Sequence, residues 1–493
     1  MRWRSTQGTR LIAGVVLLLA AAFAFKTLAT LDLTSLWNDE LRSVEKSFQP
    51  SPVFLLGYLR ADVHPPLYYG LLWLCGQLFG QTVLVLRGLS WVSYVLGVMV
   101  LSRAVWDWRQ SRVGACCAAL LAAAMPFTVR FAVEGKGYSL MFALVALALW
   151  QRQRLERAEA GAALLYPVAF AAAALTHYYA MGLLLAQTLC DGIRRDRRLV
   201  GLDGLALLLP SLWMWSTSRF LLGTGGRDWI PAASPELLQK LVVLALGIHW
   251  PLVLALGAGL ALVLAAANRH RSSPSLRSLV RVWGLDAAAL LAVGSVVISI
   301  WRPSAVDRYY IVLVPACIGF CSCWLGVQIQ RGDLLRWRGL LLMGVLSVLL
   351  LVWWSDSFAQ IAPTADRPYR KGQDFRAVSL RAALVELPEP PLKLSRQCRQ
   401  LNASDHVLAQ AGFLPAAAGR WRCPAKDQPL ADWLSRVEGR TTTMRLVWAA
   451  IGRPKGRDQD PIEADRRELV ASGLACSEPE RLAPSTLMVR CHR

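Results

Sequence analysis

VLVLRGLSWVSYVLGVMVLSRAVW, the run from Val83 to Trp106, decides what kind of molecule this is. About 24 residues rising 1.5 Å each make a helix of roughly 36 Å, enough to cross a hydrocarbon core of about 30 Å. Runs of this kind recur along most of the 493 residues, with hydrophobic residues at 55%, charged residues at 18% and a mean hydropathy of +0.38. A water-soluble enzyme of that length needs far more polar surface, and recurring apolar runs exclude low-complexity disorder. Lys+Arg 54 against Asp+Glu 33 leaves a net charge of +21. In a soluble chain that excess would suggest nucleic acid. In a membrane chain it reports which face of the bilayer each loop occupies.

Spans are expected near Leu11–Leu31, Val83–Trp106, Val113–Val129, Tyr138–Trp150, Ala162–Thr176, Tyr178–Cys190, Leu199–Ser218, Leu241–Ala266, Val282–Ile300, Tyr309–Gln328 and Leu340–Trp354. The first follows Arg2, Arg4 and Arg10 but has a long apolar stretch and no clear cleavage site, so it reads as a retained anchor rather than a signal peptide. Arginine clusters at 103/109/112, 152/154/157, 194/195/197/198, 269/271/277/281 and 331/336/338 mark five further cytoplasmic sites. The alternate loops hold Asp39, Glu40, Asp62, Glu134, Asp228 and Asp307 and face outward. This alternation requires that Pro65–Phe79, about 22 Å as a helix, lies on the surface or re-enters rather than crosses. The expected architecture is an all-α polytopic membrane protein of about eleven transmembrane helices, with juxtamembrane helices in the first outward loop.

Residues 1–355 form this transmembrane domain. Residues 356–493 are polar, rich in Arg and Pro, and read as a small α/β or α+β extracytoplasmic domain. Four of the eleven cysteines fall there: Cys398, Cys423, Cys476 and Cys491. In an oxidising compartment these form up to two disulfides, with three pairings open. Asn402-Ala403-Ser404 is a glycosylation sequon of a kind that chance often produces. Phe375, Val378, Leu380 and Leu384 trace an amphipathic helix capped by Asp374. These features point to a bacterial inner membrane, with the amino terminus cytoplasmic and the carboxyl-terminal domain periplasmic.

The first outward loop carries the densest polar chemistry: Leu36-Trp37-Asn38-Asp39-Glu40, then Asp62-Val63-His64-Pro65-Pro66-Leu67-Tyr68-Tyr69. His64 precedes a helix that Pro starts, which points its imidazole back toward the loop. Glu134-Gly135-Lys136-Gly137-Tyr138-Ser139-Leu140, Thr176-His177-Tyr178 and Asp307-Arg308-Tyr309-Tyr310 follow in order. The outward cations near the bilayer are few: Arg130, Lys136, Arg302 and Arg308, with Arg302 read chiefly as a stop-transfer charge. Paired aromatics at 68/69, 178/179 and 309/310, with Trp301, sit where an interfacial aromatic belt is usual. Gly223 to Trp229 lacks a phosphate-loop context and reads as a cover over the site.

In this order the motifs resemble the membrane glycosyltransferases of the C superfamily, in the branch holding protein O-mannosyltransferases and the bacterial aminoarabinose transferase of lipid A. Lys136 stands where that family usually has Arg, and the resemblance covers roughly the first 350 residues. It implies an inverting transfer from a polyprenyl-phosphate sugar to an acceptor hydroxyl on the outer face of the membrane. It further implies Asp39 as general base, and Arg308, Lys136 and Tyr309 at the donor phosphate. Glu134 and Glu40 fall in the donor or metal site, and Asp62, His64, His177 and Tyr178 beside the substrate. Asp39, Glu134 and His64 could ligate a divalent metal, although no compact metal motif is present. Hexoses such as mannose, pentoses and amino sugars all satisfy these motifs, as do lipid, glycan and protein acceptors; nucleic acid is excluded as a partner. Two other readings compete, a transporter or lipid flippase and a lipid-pyrophosphate-dependent glycan ligase. The charges cluster at span ends, no internal repeat is visible, and the matches concentrate in the first loop rather than in late loops.

Overall fold

A computed structural model describes residues 7–109, 111–222, 230, 232–267, 276–331, 337–361, 375–383, 392–395, 397–412, 414, 421–423, 445–451, 461–471, 473–483 and 486–492. The chain divides into two compact units. The first comprises Met1–Ala29, Ser51–Leu71 and Arg87–Ile361; the second comprises Thr30–Pro50, Leu72–Leu86 and Ala362–Arg493. The proposed cover, Gly223 to Trp229, and the Asp374 cap lie outside the described residues.

Helix α1 spans Gln7–Ala29, and the first loop folds into α2 (Asn38–Ser47), α3 (Pro52–Arg60) and α4 (Leu67–Phe79), before α5 (Val83–Arg109). Helix α4 starts after the second proline, its first bond running from Gly70 N–H to Pro66 C=O. Then follow α6 (Arg112–Ala124), α7 (Pro126–Ala132), α8 (Tyr138–Glu156), α9 (Ala162–Thr176), α10 (Tyr178–Ile193) and α11 (Arg197–Ser216). The first unit closes with α12 (Ser218–Leu222), α13 (Pro235–Leu246), α14 (Trp250–Ala267), α15 (Leu276–Val282), α16 (Leu285–Trp301), a 3-10 helix at Asp307–Leu313, α17 (Val314–Arg331) and α18 (Trp337–Ile361).

Among the described residues three helical stretches, Val83–Trp108, Arg197–Ser216 and Asp307–Val327, are long and apolar enough to cross a bilayer. Three of the expected spans are broken instead. The run 113–129 bends by 59° between α6 and α7, where Met125 is extended (ψ 130) ahead of Pro126. Proline disfavours the helical conformation in the residue before it. The run 241–266 breaks at Gly247 (φ +91), and α13 and α14 meet at 66°. A Cβ at Gly247 would come within 2.3 Å of an Asp356 carboxylate oxygen, so only glycine fits there. The run 282–300 begins inside a third bend, 67°, at Gly284 (φ +60).

The core of the first unit is built on α8, α9, α10, α16 and α17 around Tyr166, Phe142, Phe170 and Trp283. Arginines that the sequence places on the cytoplasmic side by expectation alone make specific ion pairs here. Arg152, fully buried, places both terminal nitrogens on Asp191, at 2.6 and 2.7 Å. Tyr166 bridges from Arg152 to Asp203, donating its hydroxyl to the carboxylate at 2.6 Å. Arg194 pairs with Asp191 and Asp286, and Arg281 with Glu156 and Asp196.

The second unit contains α19 (Phe375–Ala383), β1 (Leu392–Leu394), α20 (Cys398–Gln410), β2 (Arg445–Ile451), α21 (Pro461–Ala471), β3 (Ala475–Cys476), β4 (Glu480–Ala483) and β5 (Thr486–His492). Strand β2 pairs parallel with β1 and antiparallel with β5, and β5 pairs antiparallel with both β3 and β4. Helix α19 buries Phe375 and Val378 and joins α20 through Ser379 and Ser404 hydroxyls at 3.1 Å. Of the three pairings open to the four cysteines, the structure takes Cys398–Cys423 and Cys476–Cys491. The sequon asparagine, Asn402, spends its amide on both backbone groups of Trp421, at 2.9 and 2.8 Å.

Candidate active site

The first unit gathers most of the residues singled out from the sequence. Asp62 and His64 form a compact pair: both the backbone N–H of His64 and its ring Nδ1 meet the same Asp62 oxygen, at 3.0 and 2.5 Å. Because a carboxylate only accepts, Nδ1 carries the proton and Nε2 turns outward from the pair. The imidazole stands edge-on to Tyr69, with ring centres 5.7 Å apart. Tyr69 is buried, and its hydroxyl accepts from the Lys136 ammonium at 3.4 Å.

Lys136 reaches that position through a tight turn. Its N–H bonds the Glu134 C=O at 2.7 Å, and its own C=O accepts from Ser90 at 3.1 Å. Gly137 then lets α8 begin against its neighbours, since a Cβ there would lie 3.0 Å from Thr176 and 3.1 Å from Tyr68. Glu134 is buried beside this turn. Arg130, also expected among the outward cations, lies on α7 over the Phe131 ring at 5.8 Å.

The third element is the 3-10 helix carrying Arg308 and Tyr309. The Ser299 hydroxyl accepts from the N–H groups of Ser304 and Ala305, both at 3.1 Å, and so fixes the chain just after α16. Asp307 then accepts from the Arg308 N–H at 2.8 Å. Tyr310 points back to Ser295 at 2.8 Å, whereas Tyr309 lies under the Arg308 guanidinium at 5.9 Å. Arg302, by contrast, is exposed at the end of α16 beside an exposed Trp301.

His177 sits where these parts converge, in the loop between α9 and α10. Its ring centre is 4.6 Å from Tyr309, 5.8 Å from Tyr138 and 5.9 Å from Tyr179. Burial first, and then the charges of His64, Arg308 and Lys136, push its pKa down to about 3. The imidazole is therefore neutral at physiological pH. Tyr178 takes a different course, its hydroxyl lying beside Trp213 and Thr217 at the end of α11. Tyr138 and Tyr179 complete the aromatic wall. Tyr179, which donates to Ser304 C=O at 3.2 Å, reads from sequence only as part of the aromatic belt. A signal lay in the double tyrosine after His177, since a belt needs only one.

Asp39 and Glu40 belong to the second unit. Both lie in the first turn of α2, where the helix dipole favours negative charge. Glu40 is buried and accepts the Trp37 N–H at 3.3 Å, which makes it a cap of that helix, while Asp39 is half-buried. Among the described residues no three His, Cys, Asp or Glu side chains converge as metal ligands. His64 has also committed Nδ1 to Asp62.

The helical frame and the small mixed domain have a fold seen before among solved structures. One solved structure with that fold is ArnT from Cupriavidus metallidurans. In the apo state that protein superposes with a TM-score of 0.64 at 17% identity, covering 97% of this chain and 98% of that one. Bound to undecaprenyl phosphate it gives 0.63 at 16% identity over the same shares. AglB, an oligosaccharyltransferase of the archaeon Archaeoglobus fulgidus, aligns at a TM-score of 0.44 with 12% identity over 81% of this chain and 64% of its own. At these identities the likeness is one of fold. No protein-family model matches the sequence, and no curated protein matches it.

Proposed function

We propose that this protein is an inverting glycosyltransferase that moves a sugar from a polyprenyl phosphate to an acceptor hydroxyl on the outer face of the membrane. The observation that carries the reading is the gathering of Lys136, Arg308 and His64 about a neutral His177, on a fold shared with a protein solved with undecaprenyl phosphate.

The chemistry asks for such a cluster. Breaking the bond between the anomeric carbon and the phosphate converts a diester with about one negative charge into a monoester approaching two. Charge thus builds on the leaving phosphate as the transition state forms, and positioned cations and N–H donors stabilise it preferentially. Arg308 supplies a planar fork suited to two phosphate oxygens. Lys136, steadied by Tyr69, supplies a point charge. On the acceptor side, Asp39 takes the hydroxyl proton as the oxygen attacks the anomeric carbon from the face opposite the phosphate, which inverts that centre. This role rests on the motif resemblance and on the place of Asp39 in the first turn of α2.

The test is sugar transfer by the purified full chain in lipid nanodiscs, with a polyprenyl-phosphate sugar and a membrane-lipid acceptor extract. Asp39→Asn should lower turnover by about a hundredfold or more, the range expected for a general base. Movement of donor lipid between leaflets with no sugar transfer would favour a flippase instead.

A further inference from the structure

His177 does two things at once, and each fixes the other. Its backbone is extended (φ −158, ψ 136) as it caps α10, and its ring Nδ1 accepts the Tyr179 N–H at 3.2 Å. A backbone N–H can only donate, so Nδ1 bears no proton, and the neutral ring carries its hydrogen on Nε2. Tyr309, Tyr138 and Tyr179 pack around the ring and hold its plane. No hydrogen-bond partner for Nε2 occurs among the described residues. The site thus holds one uncharged N–H donor of fixed tautomer and direction, set among three basic side chains.

We propose that the Nε2–H of His177 donates a hydrogen bond to a non-bridging oxygen of the donor phosphate and orients it toward Lys136 and Arg308. This rests on the glycosyltransferase reading and adds to it a specific ligand contact. An uncharged donor suits this position better than a further cation beside Lys136 and Arg308. It strengthens as the phosphate gains charge, and it does so without adding a net charge to the site. The cap therefore serves chemistry as well as helix α10, because the bond to Tyr179 N–H is what sets the proton on the outward nitrogen.

Three substitutions separate the two roles. His177→Asn puts an acceptor at the Nδ1 position and keeps the cap, but lacks reach at Nε2. His177→Gln places an N–H near Nε2 and gives up the cap. His177→Phe keeps the ring and loses both. Binding of sugar-free polyprenyl phosphate is measured on the purified full chain in nanodiscs, with thermal unfolding measured in parallel. The Asn variant should keep the melting temperature and lose about tenfold or more in affinity, the scale of one hydrogen bond to a charged group. The Gln variant should melt lower yet bind within about threefold of wild type, and the Phe variant should lose both properties. An Asn variant binding as tightly as wild type, or a Gln variant binding as weakly as Phe, overturns the contact while leaving the glycosyltransferase reading standing. If the unsubstituted chain fails to bind polyprenyl phosphate, that reading falls and takes the contact with it.

Discussion

Asp191→Asn is the substitution that most sharply separates a structural charge from an ornamental one. Arg152 and Asp191 are both fully buried and share two hydrogen bonds, at 2.6 and 2.7 Å. Removing the carboxylate charge leaves a guanidinium in a dry site, which costs about 3–5 kcal/mol. At roughly 2 °C per kcal/mol for a long chain, the melting temperature should fall by about 6–10 °C. Arg154, two residues on, pairs with Glu159 at 2.7 Å, but the side chains are 23% and 39% exposed. Arg154→Ala should therefore cost about 0–1 kcal/mol. The buried pair also bears on the site. From Tyr138 to Arg152 along α8, and from Tyr178 to Asp191 along α10, the rise is about 20 Å in each case. The pair thus sets the relative height of two helices whose other ends carry Tyr138 and His177, whose rings are 5.8 Å apart. Replacing both partners with apolar residues, Arg152→Met with Asp191→Leu, should recover much of the lost stability. Scanning fluorimetry of these variants, with the single substitutions Arg152→Met and Asp191→Leu, checks this. An Asp191→Asn protein melting within 2 °C of wild type, or a double variant less stable than either single one, would refute the reasoning.

Gly319 lies on α17 against the buried Trp283 ring, and an added Cβ would fall 2.1 Å from it; Gly319→Ala should cost about 1–3 kcal/mol, read as a lower melting temperature. Non-reducing peptide mapping should recover Cys398 linked to Cys423 and Cys476 linked to Cys491, and replacing the first pair with serine should cost the second unit about 2–4 kcal/mol, measured by denaturant titration. The pH dependence of His177 has a definite sign. Above its unfolded value of 6.5 both states are neutral and the group contributes nothing; as pH falls toward 3 the unfolded chain takes a proton that the folded one refuses, so stability is lost. Between pH 7.5 and 5 wild type should lose up to about 2 kcal/mol more than His177→Gln, and equal losses in the two proteins would remove the shift.

Much of the helical frame is legible in the sequence because hydropathy and punctuation agree. Ala162 and Tyr178 start helices where the apolar runs begin, and Gly161 and His177 stand immediately before them. The breaks are less legible. A long apolar window runs straight over Gly247 and Gly284, since hydropathy weighs a glycine only as weakly apolar and carries nothing of its φ. Arg152 reads as an ordinary cytoplasmic charge because nothing local reveals that Asp191, on another helix, will meet it. The mixed character of the second unit is expected from the sequence, but its strand pairing is invisible for a similar reason: β1, β2 and β5 join segments far apart in the chain, and short strands carry little periodic signal. At the site, Asp62, His64, Lys136, His177 and Arg308 stand out by residue type and order. What the sequence withholds is the neutrality of His177, which depends on burial and on charges from three other segments.

The most direct measurement is electron cryomicroscopy of the full chain in nanodiscs with sugar-free polyprenyl phosphate. The phosphate should appear within hydrogen-bonding distance of Lys136 and Arg308, with the His177 ring edge toward one oxygen. Density for the phosphate at any site remote from those three side chains would contradict the account.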